Sequence, residues 1–332
     1  MIFEAKRKRA NMPPKVSVQI VTYNSSHDIA SCLEAVIHQT HPVDEIFVVD
    51  NASADHTVGV VEAFLSKHKS QIRLVQNERN TGFAPAHNQG IRLSKSDYVL
   101  VLNPDVVLAP DYIKQLVEMM ERNPTIGSAT GMLVFQDNEE IIDSTGLVMN
   151  RIWRAFDRGA GEPRQQWSAS GEVFGVSGAA AIYSRIMIDD ISIQGQFFDE
   201  DFFAYKEDVD VAWRAGLLGW KAYYCAEALG IHKRGWKKGQ RGARPLFIRQ
   251  RSFINRYKMI YKNLSGAGWV RNLPQLLAYE ISVHGYMLLR EPKVLGAWVD
   301  FWRQRPNLKA KRRELKEKVL NKSKDKATEA SK

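Results

Sequence analysis

The sequence contains no apolar run near the ~18–20 residues that a bilayer-spanning helix requires, so no transmembrane segment is expected. Its start, MIFEAKRKRANMPPK, is basic but lacks an apolar core, which argues against a secretory signal and for a cytoplasmic protein. Cysteine is scarce. Cys32 and Cys225 fit no metal or redox spacing, and their apolar surroundings predict buried, reduced thiols. Two phosphate cradles are missing as well: no G-x-G-x-x-G turn and no P-loop lysine motif occurs, which excludes the usual dinucleotide and P-loop chemistries.

What remains is an ordinary globular composition, 44% hydrophobic and 25% charged over 332 residues, with room for one large domain and an extension. The net charge of +10 is unevenly placed. Residues 1–15 carry five basic residues against Glu4, and residues 303–332 carry twelve against four acids. Lys233 to Lys262 holds eleven basic residues and no acid, whereas residues 16–232 hold sixteen basic and twenty-nine acidic. An acidic body thus has basic ends and a basic belt. Such segments fit nucleic acid, an anionic membrane surface or plain solvated charge.

Val16–Tyr23 is short and β-branched, bounded by Pro13-Pro14 and Asn24-Ser25-Ser26, and reads as a strand. Ile29 to Gln39 has apolar residues at helical spacing. The alternation continues with strands at Glu45–Asp50, Ile72–Val75 and Tyr98–Leu102, and helices at Val58–Leu65 and Phe83–Leu93. Strands alternating with helices predict a mainly parallel sheet covered on both faces. After a further helix to about Arg122, shorter strand-like pieces follow among Gly and Asp turns. Asp199–Leu218 reads as a loop entering a helix, Lys221–Cys225 as a short strand, and 246–305 as helical. The expected organisation is a basic arm (1–13), a catalytic domain (14–245), a helical extension (246–305) and a basic tail (306–332), helical or disordered.

Ligands of such sheets bind at the carboxyl ends of the strands. Thr22-Tyr23-Asn24, Asp50 and Asn103-Pro104-Asp105 all fall there and are expected to share one rim. Asp50 suits a nucleobase or ribose, or caps its own turn. Asp105 is a carboxylate suited to Mg²⁺ or Mn²⁺, which would serve a diphosphate in place of the missing cradles. Glu207-Asp208-Val209-Asp210 opens a helix, where acids also serve simply as a favourable N-terminus. Asp210 and Arg214, spaced i, i+4, read as a surface ion pair. His232 fits either a ligand or a core histidine.

The ordered set Val21-Thr-Tyr-Asn24, Val48-Val-Asp-Asn-Ala-Ser-Ala-Asp55, Asn80-Thr-Gly-Phe83, Leu102-Asn-Pro-Asp105, Gly178-Ala-Ala, Phe198-Asp-Glu and Phe203-Ala-Tyr-Lys-Glu-Asp-Val-Asp-Val-Ala-Trp-Arg214 resembles family 2 glycosyltransferases of the GT-A fold. The Asn-Pro-Asp and Glu-Asp-Val-Asp forms are similar to the rhamnosyltransferase-like branch. The resemblance covers residues 14–245 and implies a nucleotide pocket of Thr22, Tyr23, Asn24, Asp50, Asn80 and Asn103. It further implies a divalent metal on Asp105 and His232, a general base at Asp208, and acceptor orientation by Glu207. Two positions depart from the pattern: Asn103 replaces the first Asp of D-x-D, and Lys206 stands where relatives often carry an acid.

The implied reaction is inverting transfer of one sugar, L-rhamnose from a dTDP donor, in cell-surface polysaccharide synthesis. A UDP-hexose, UDP-GlcNAc or UDP-galactofuranose donor is the alternative. No Gln-x-x-Arg-Trp follows the acidic helix, so the transfer is expected to be non-processive. The acceptor is expected to be a saccharide or a polyprenyl-diphosphate-linked one. Residues 264–302 mix aromatic and apolar residues with Arg271, His284, Arg290 and Lys293, which suits a headgroup layer. The protein is therefore expected on the inner face of the plasma membrane, as a peripheral protein, with no nucleic-acid partner. A basic nucleic-acid-binding protein is the rival from another class, but it leaves the acidic body and the ordered motifs unexplained.

Overall fold

A computed structural model describes residues 13–234, 244–264 and 272–330. Residues 1–12 of the basic arm, and Trp269 and Arg271 of the extension, lie outside the described residues.

The first half follows the expected alternation: β1 (Val16–Thr22), α1 (Ile29–Ile37), β2 (Glu45–Asp50), α2 (Thr57–Lys67), β3 (Ile72–Gln76), α3 (Phe83–Leu93) and β4 (Tyr98–Leu102). β1 pairs in parallel with β2 and with β4, and β2 with β3. The second half adds β5 (Val106–Leu108), α4 (Tyr112–Arg122), β6 (Ile126–Phe135), β7 (Asn138–Ser144), β8 (Leu147–Met149), β9 (Ala155–Asp157), β10 (Gly171–Val173), β11 (Ala180–Ser184), α5 (Arg185–Ile191), α6 (Glu207–Leu217) and β12 (Lys221–His232). The main sheet runs β10-β12-β6-β11-β4-β1-β2-β3. β11 enters antiparallel between β4 and β6, while β12 and β6 are parallel.

Period-two alternation along the central strands supplies two cores. Leu100 and Leu102 of β4 face Ile29, Leu33, Tyr112 and Leu116, on the side of α1 and α4. Val99 and Val101 face Ala84, Ile91, Met187 and Val211, on the side of α3, α5 and α6. Apolar residues on both faces explain why these strands read as nearly continuous hydrophobic runs. The architecture is the GT-A one, a mostly parallel sheet between helical layers with further helices at the C-terminal side.

Two elements differ from the sequence reading. β12 does not stop at Cys225; a register shift between Cys225 and Leu229 lets it continue beside β6 to His232. The polar break Ala226-Glu227 hid that continuity, and His232 is the strand's last residue rather than part of a following loop. Val106–Leu108, not assigned to any element from sequence, is a short strand paired with the end of β12.

The extension is α7 (Leu246–Asn263), α8 (Leu273–Arg290), α9 (Pro292–Leu295) and α10 (Ala297–Ala330). α10 absorbs the expected tail into one helix, with Pro306 inside it. Phe253, Met287, Val294 and Phe301 form a small core among these helices. No helix among the described residues is long and apolar enough to cross a membrane.

Candidate active site

The candidate nucleotide rim forms where β1 and β2 end together, with Thr22 and Asp50 in register. The Thr22 hydroxyl donates to Asp50 Oδ1 at 2.8 Å, and the Ser53 amide donates to Asp50 Oδ2 at 2.9 Å. Asp50 is thereby fixed and 2% exposed. Asn24 and Ala52 take the left-handed conformation, at φ 54° and 61°. That bend lets the Asn24 side-chain Oδ1 accept from the Ala54 amide at 2.8 Å, tying the two loops together. Tyr23 lies beside them, 53% exposed.

Asn80 belongs to the same rim. Its side-chain oxygen accepts from the Gly82 amide at 2.9 Å, and Asn51 Nδ2 donates to the Gly82 carbonyl at 3.1 Å. Gly82 has φ 95°, and a Cβ there would sit 2.5 Å from the Phe203 carbonyl oxygen. Only glycine permits that approach, which joins the nucleotide-side turn to the turn before α6.

Asp105 and His232 meet at the next strand ends. His232 Nε2 is 3.3 Å from Asp105 Oδ1, and its Nδ1 is 2.6 Å from Asp143 Oδ2. Arg234 holds the other Asp143 oxygen at 2.8 Å and reaches Asp157 at 2.7 Å. Burial alone would lower the imidazole pKa, but the hydrogen bonds to Asp105 and Asp143 outweigh it and push it up to about 9. With Asp143 accepting from Nδ1, Nε2 is the nitrogen that faces Asp105, the orientation that carboxylate-supported histidine ligands take. The donor set therefore fits a hard divalent cation. Among the described residues no group of three or more His, Cys, Asp or Glu could hold an ion. Asn103 accounts for this, since it stands where a second carboxylate would sit. Asp105 and His232 would supply at most two protein ligands to such a cation.

The candidate catalytic carboxyls lie at the start of α6. Phe203, Tyr205 and Lys206 all have positive φ, at 63°, 72° and 76°. Such backbone is costly for non-glycine residues and persists only where neighbours enforce it. Asn255 of α7 supplies the enforcement: its Nδ2 lies 2.9 Å from the carbonyl oxygens of Phe202, Ala204 and Tyr205. Lys258 adds a bond to the Asp201 carbonyl at 2.8 Å.

This turn delivers two adjacent carboxyls, Glu207 buried and Asp208 half-buried. Asp208 accepts from the Gly178 amide at 3.2 Å and from the Val209 amide at 2.7 Å. Ala179, next to Gly178, accepts from the Asn103 amide at 2.8 Å. The Asn103–Asp105 turn and Asp208 therefore flank the same few residues. Burial raises the pKa of both carboxyls, and Glu207, further raised by Asp208, is pushed up to about 8. The Gly178 and Val209 amides favour the charged form of Asp208 and oppose part of its rise.

The profile described as Glycosyl transferase family 2 matches residues 17–191, just over half of the chain. The chain belongs to glycosyl transferase family 2. A poly-beta-1,6-N-acetyl-D-glucosamine synthase of Staphylococcus epidermidis is 25% identical over 214 residues, covering 64% of this chain and 48% of the relative. The chain thus spans about half the length of the curated relatives it matches. Among solved structures, a Pyrobaculum calidifontis mannosyltransferase in complex with GDP-Man and Mn²⁺ shares the fold with TM-score 0.55 and 19% identity, over 92% of this chain and 81% of that one. S. aureus TarS does so with TM-score 0.58 and 17% identity, over 93% and 88%.

Within this family 2 member the folded chain places Thr22, Asp50, Asn80, Asn103, Asp105, His232, Glu207 and Asp208 as three adjoining groups around one rim. One sequence reading is corrected. Asp210 and Arg214 are no surface pair: their side chains are 0% and 1% exposed, with Arg214 Nε 2.8 Å from Asp210 Oδ2. Arg214 also donates to the carbonyls of Ile191 and Phe197, while Lys262 and Asn263 of α7 close on Asp210. Lys262 continues to Asp199 at 2.5 Å, and Lys311 of α10 bridges Asp199 and Asp201. Spacing alone revealed the pair but not the helix lying over it. Asp143 and Asn255 were not found from sequence, because neither sits in a motif and each acts through a distant partner.

Proposed function

We propose that this chain transfers one sugar from a nucleoside-diphosphate donor to an acceptor hydroxyl, with inversion. The observation that carries the reading is the pair Glu207–Asp208, the first buried and the second half-buried at a helix start beside the Asn103–Asp105 turn. Asp208 takes the acceptor proton as the oxygen attacks the anomeric carbon, and Glu207 orients the acceptor. Thr22, Tyr23, Asn24, Asp50, Asn80 and Asn103 hold the nucleotide. Asp105 and His232 would hold Mg²⁺ or Mn²⁺, which supplies charge neutralisation for the departing diphosphate.

The donor we propose is dTDP-L-rhamnose, on the Asn-Pro-Asp and Glu-Asp-Val-Asp motifs. A UDP-activated hexose or N-acetylglucosamine is the second reading, favoured by the product named for the S. epidermidis relative. The acceptor is a saccharide or polyprenyl-diphosphate-linked saccharide at the inner membrane face, in cell-surface polysaccharide synthesis. Support for a membrane position comes from α8, where Leu277, Ile281 and Leu288 share one helical face and are 52%, 73% and 65% exposed. Against a nucleic-acid track, three of the belt's described cations are paired within the chain: Arg249 with Glu291, Arg251 with Asp300 and Arg256 with Glu280.

A donor panel of dTDP and UDP sugars, assayed for nucleoside-diphosphate release with and without chelator, tests the reading. Release from dTDP-rhamnose that stops with chelator supports it; release from none of the panel sinks it.

A further inference from the structure

Between the β8–β9 hairpin and helices α7 and α8 lies a cavity of about 190 Å³, separate from the nucleotide rim. Lys206 lines it, one residue before Glu207. So do Trp153, Arg154, Arg256, Tyr257 and Tyr279. The Arg154 guanidinium lies 5.1 Å over the Tyr279 ring and 4.8 Å over Phe156. Neither Arg154 nor Lys206 makes an ion pair among the described residues. Arg256 is fixed by Glu280 at 2.6 Å and by the Ile152 carbonyl at 2.7 Å, yet its buried Nε has no partner. The neighbouring carboxylate, Glu280, is fully engaged, since its second oxygen accepts from the Tyr257 hydroxyl at 2.5 Å.

Three cations around a small cavity with one neutralised acid leave a positive excess where water is partly excluded. Aromatic faces stack two of the guanidiniums and keep them extended. The volume corresponds to about six waters, enough for one phosphate group or one sugar ring and far too little for a glycan.

We infer that this cavity binds a phosphate group of the acceptor, which sets the acceptor hydroxyl against Asp208. The inference rests on the transferase reading above and adds the acceptor's chemistry: a saccharide carrying a phosphate or diphosphate, held by Arg154 and Lys206, with the charge of Arg256 beside them. Lys206, in place of an acid, is then the residue that selects an anionic acceptor.

Calorimetric titration of the full chain, with chelator present, tests this using geranyl diphosphate and glucose 1-phosphate as probes. Binding of geranyl diphosphate alone identifies a lipid phosphate as the source, and binding of both identifies the phosphate itself. Arg154→Gln should weaken the bound probe about tenfold, and Arg154→Lys should restore part of that loss, which separates lost charge from lost fold. Added nucleoside diphosphate should not displace the probe. Failure of both probes to bind, equal affinity in Arg154→Gln, or displacement by nucleoside diphosphate would each overturn the assignment. Donor hydrolysis by the wild-type chain is measured in parallel: if it persists while no probe binds, only the cavity assignment falls, and if it is absent, the transferase reading falls first.

Discussion

The side-chain amide nitrogen of Asn255 lies 2.9 Å from the carbonyl oxygen of Tyr205, two residues before Glu207. Through this contact a helix of the C-terminal extension fixes the strained turn that sets out the two carboxyls. Asn255→Ala removes the donor shared by three carbonyls and should cost about 1–3 kcal/mol. Because the nucleotide rim does not touch Asn255, kcat should fall several-fold while the donor KM changes little. Thermal unfolding and steady-state kinetics on the same samples check both.

Glu207 gives a stability signature of its own. Its folded pKa, pushed up to about 8 by burial and by Asp208, lies above the unfolded value of 4.5. The folded chain therefore binds more protons than the unfolded one between those values, and the stability linked to Glu207 is lost as pH rises through about 8. Glu207→Gln cannot titrate. The difference in Tm between this variant and the wild type should shift in the variant's favour from pH about 5 to about 9, and a constant difference would exclude the raised pKa.

Lys262 is 1% exposed between Asp199 and Asp210. Lys262→Met leaves two buried carboxylates short of a cation and should destabilise the protein by about 3–5 kcal/mol. Salt screens buried pairs weakly, so the loss should be nearly the same at low and high ionic strength. Denaturant unfolding at two salt concentrations measures it; a small loss that vanishes in salt would return the pair to the surface role first read from its spacing.

Asp143 touches the candidate metal site only through His232. Asp143→Asn keeps the shape but weakens the support of the imidazole, and should raise the Mn²⁺ concentration for half-maximal activity by about 10–100-fold. Saturating Mn²⁺ should restore most of the rate. Direct Mn²⁺ titration by electron paramagnetic resonance with nucleoside diphosphate present provides the second readout.

Much of this was legible in the chain. The β-branched runs ending at Thr22, Asp50 and Leu102 determined the parallel strands and the rim, since each run is followed by a polar turn and an amphipathic helix. Motif order pointed to Asp208 and His232 as candidates, and the fold brings each beside the rim. Contacts between remote segments were not. The burial of Asp210 and Arg214 depends on Lys262 and Asn263 lying across them, and no local pattern records that. The continuation of β12 was hidden by Ala226 and Glu227, whose register shift reads in sequence as a strand end.

The central claim is that Asp208 acts as the base of a sugar transfer, and Asp208→Asn measures it most directly. The substitution preserves size and removes the basic oxygen. Binding of the donor nucleotide, followed by calorimetry, should be retained within about twofold, while transfer should fall by about 10²–10⁴-fold. Transfer by Asp208→Asn at the wild-type rate, with the donor still bound, would contradict the account.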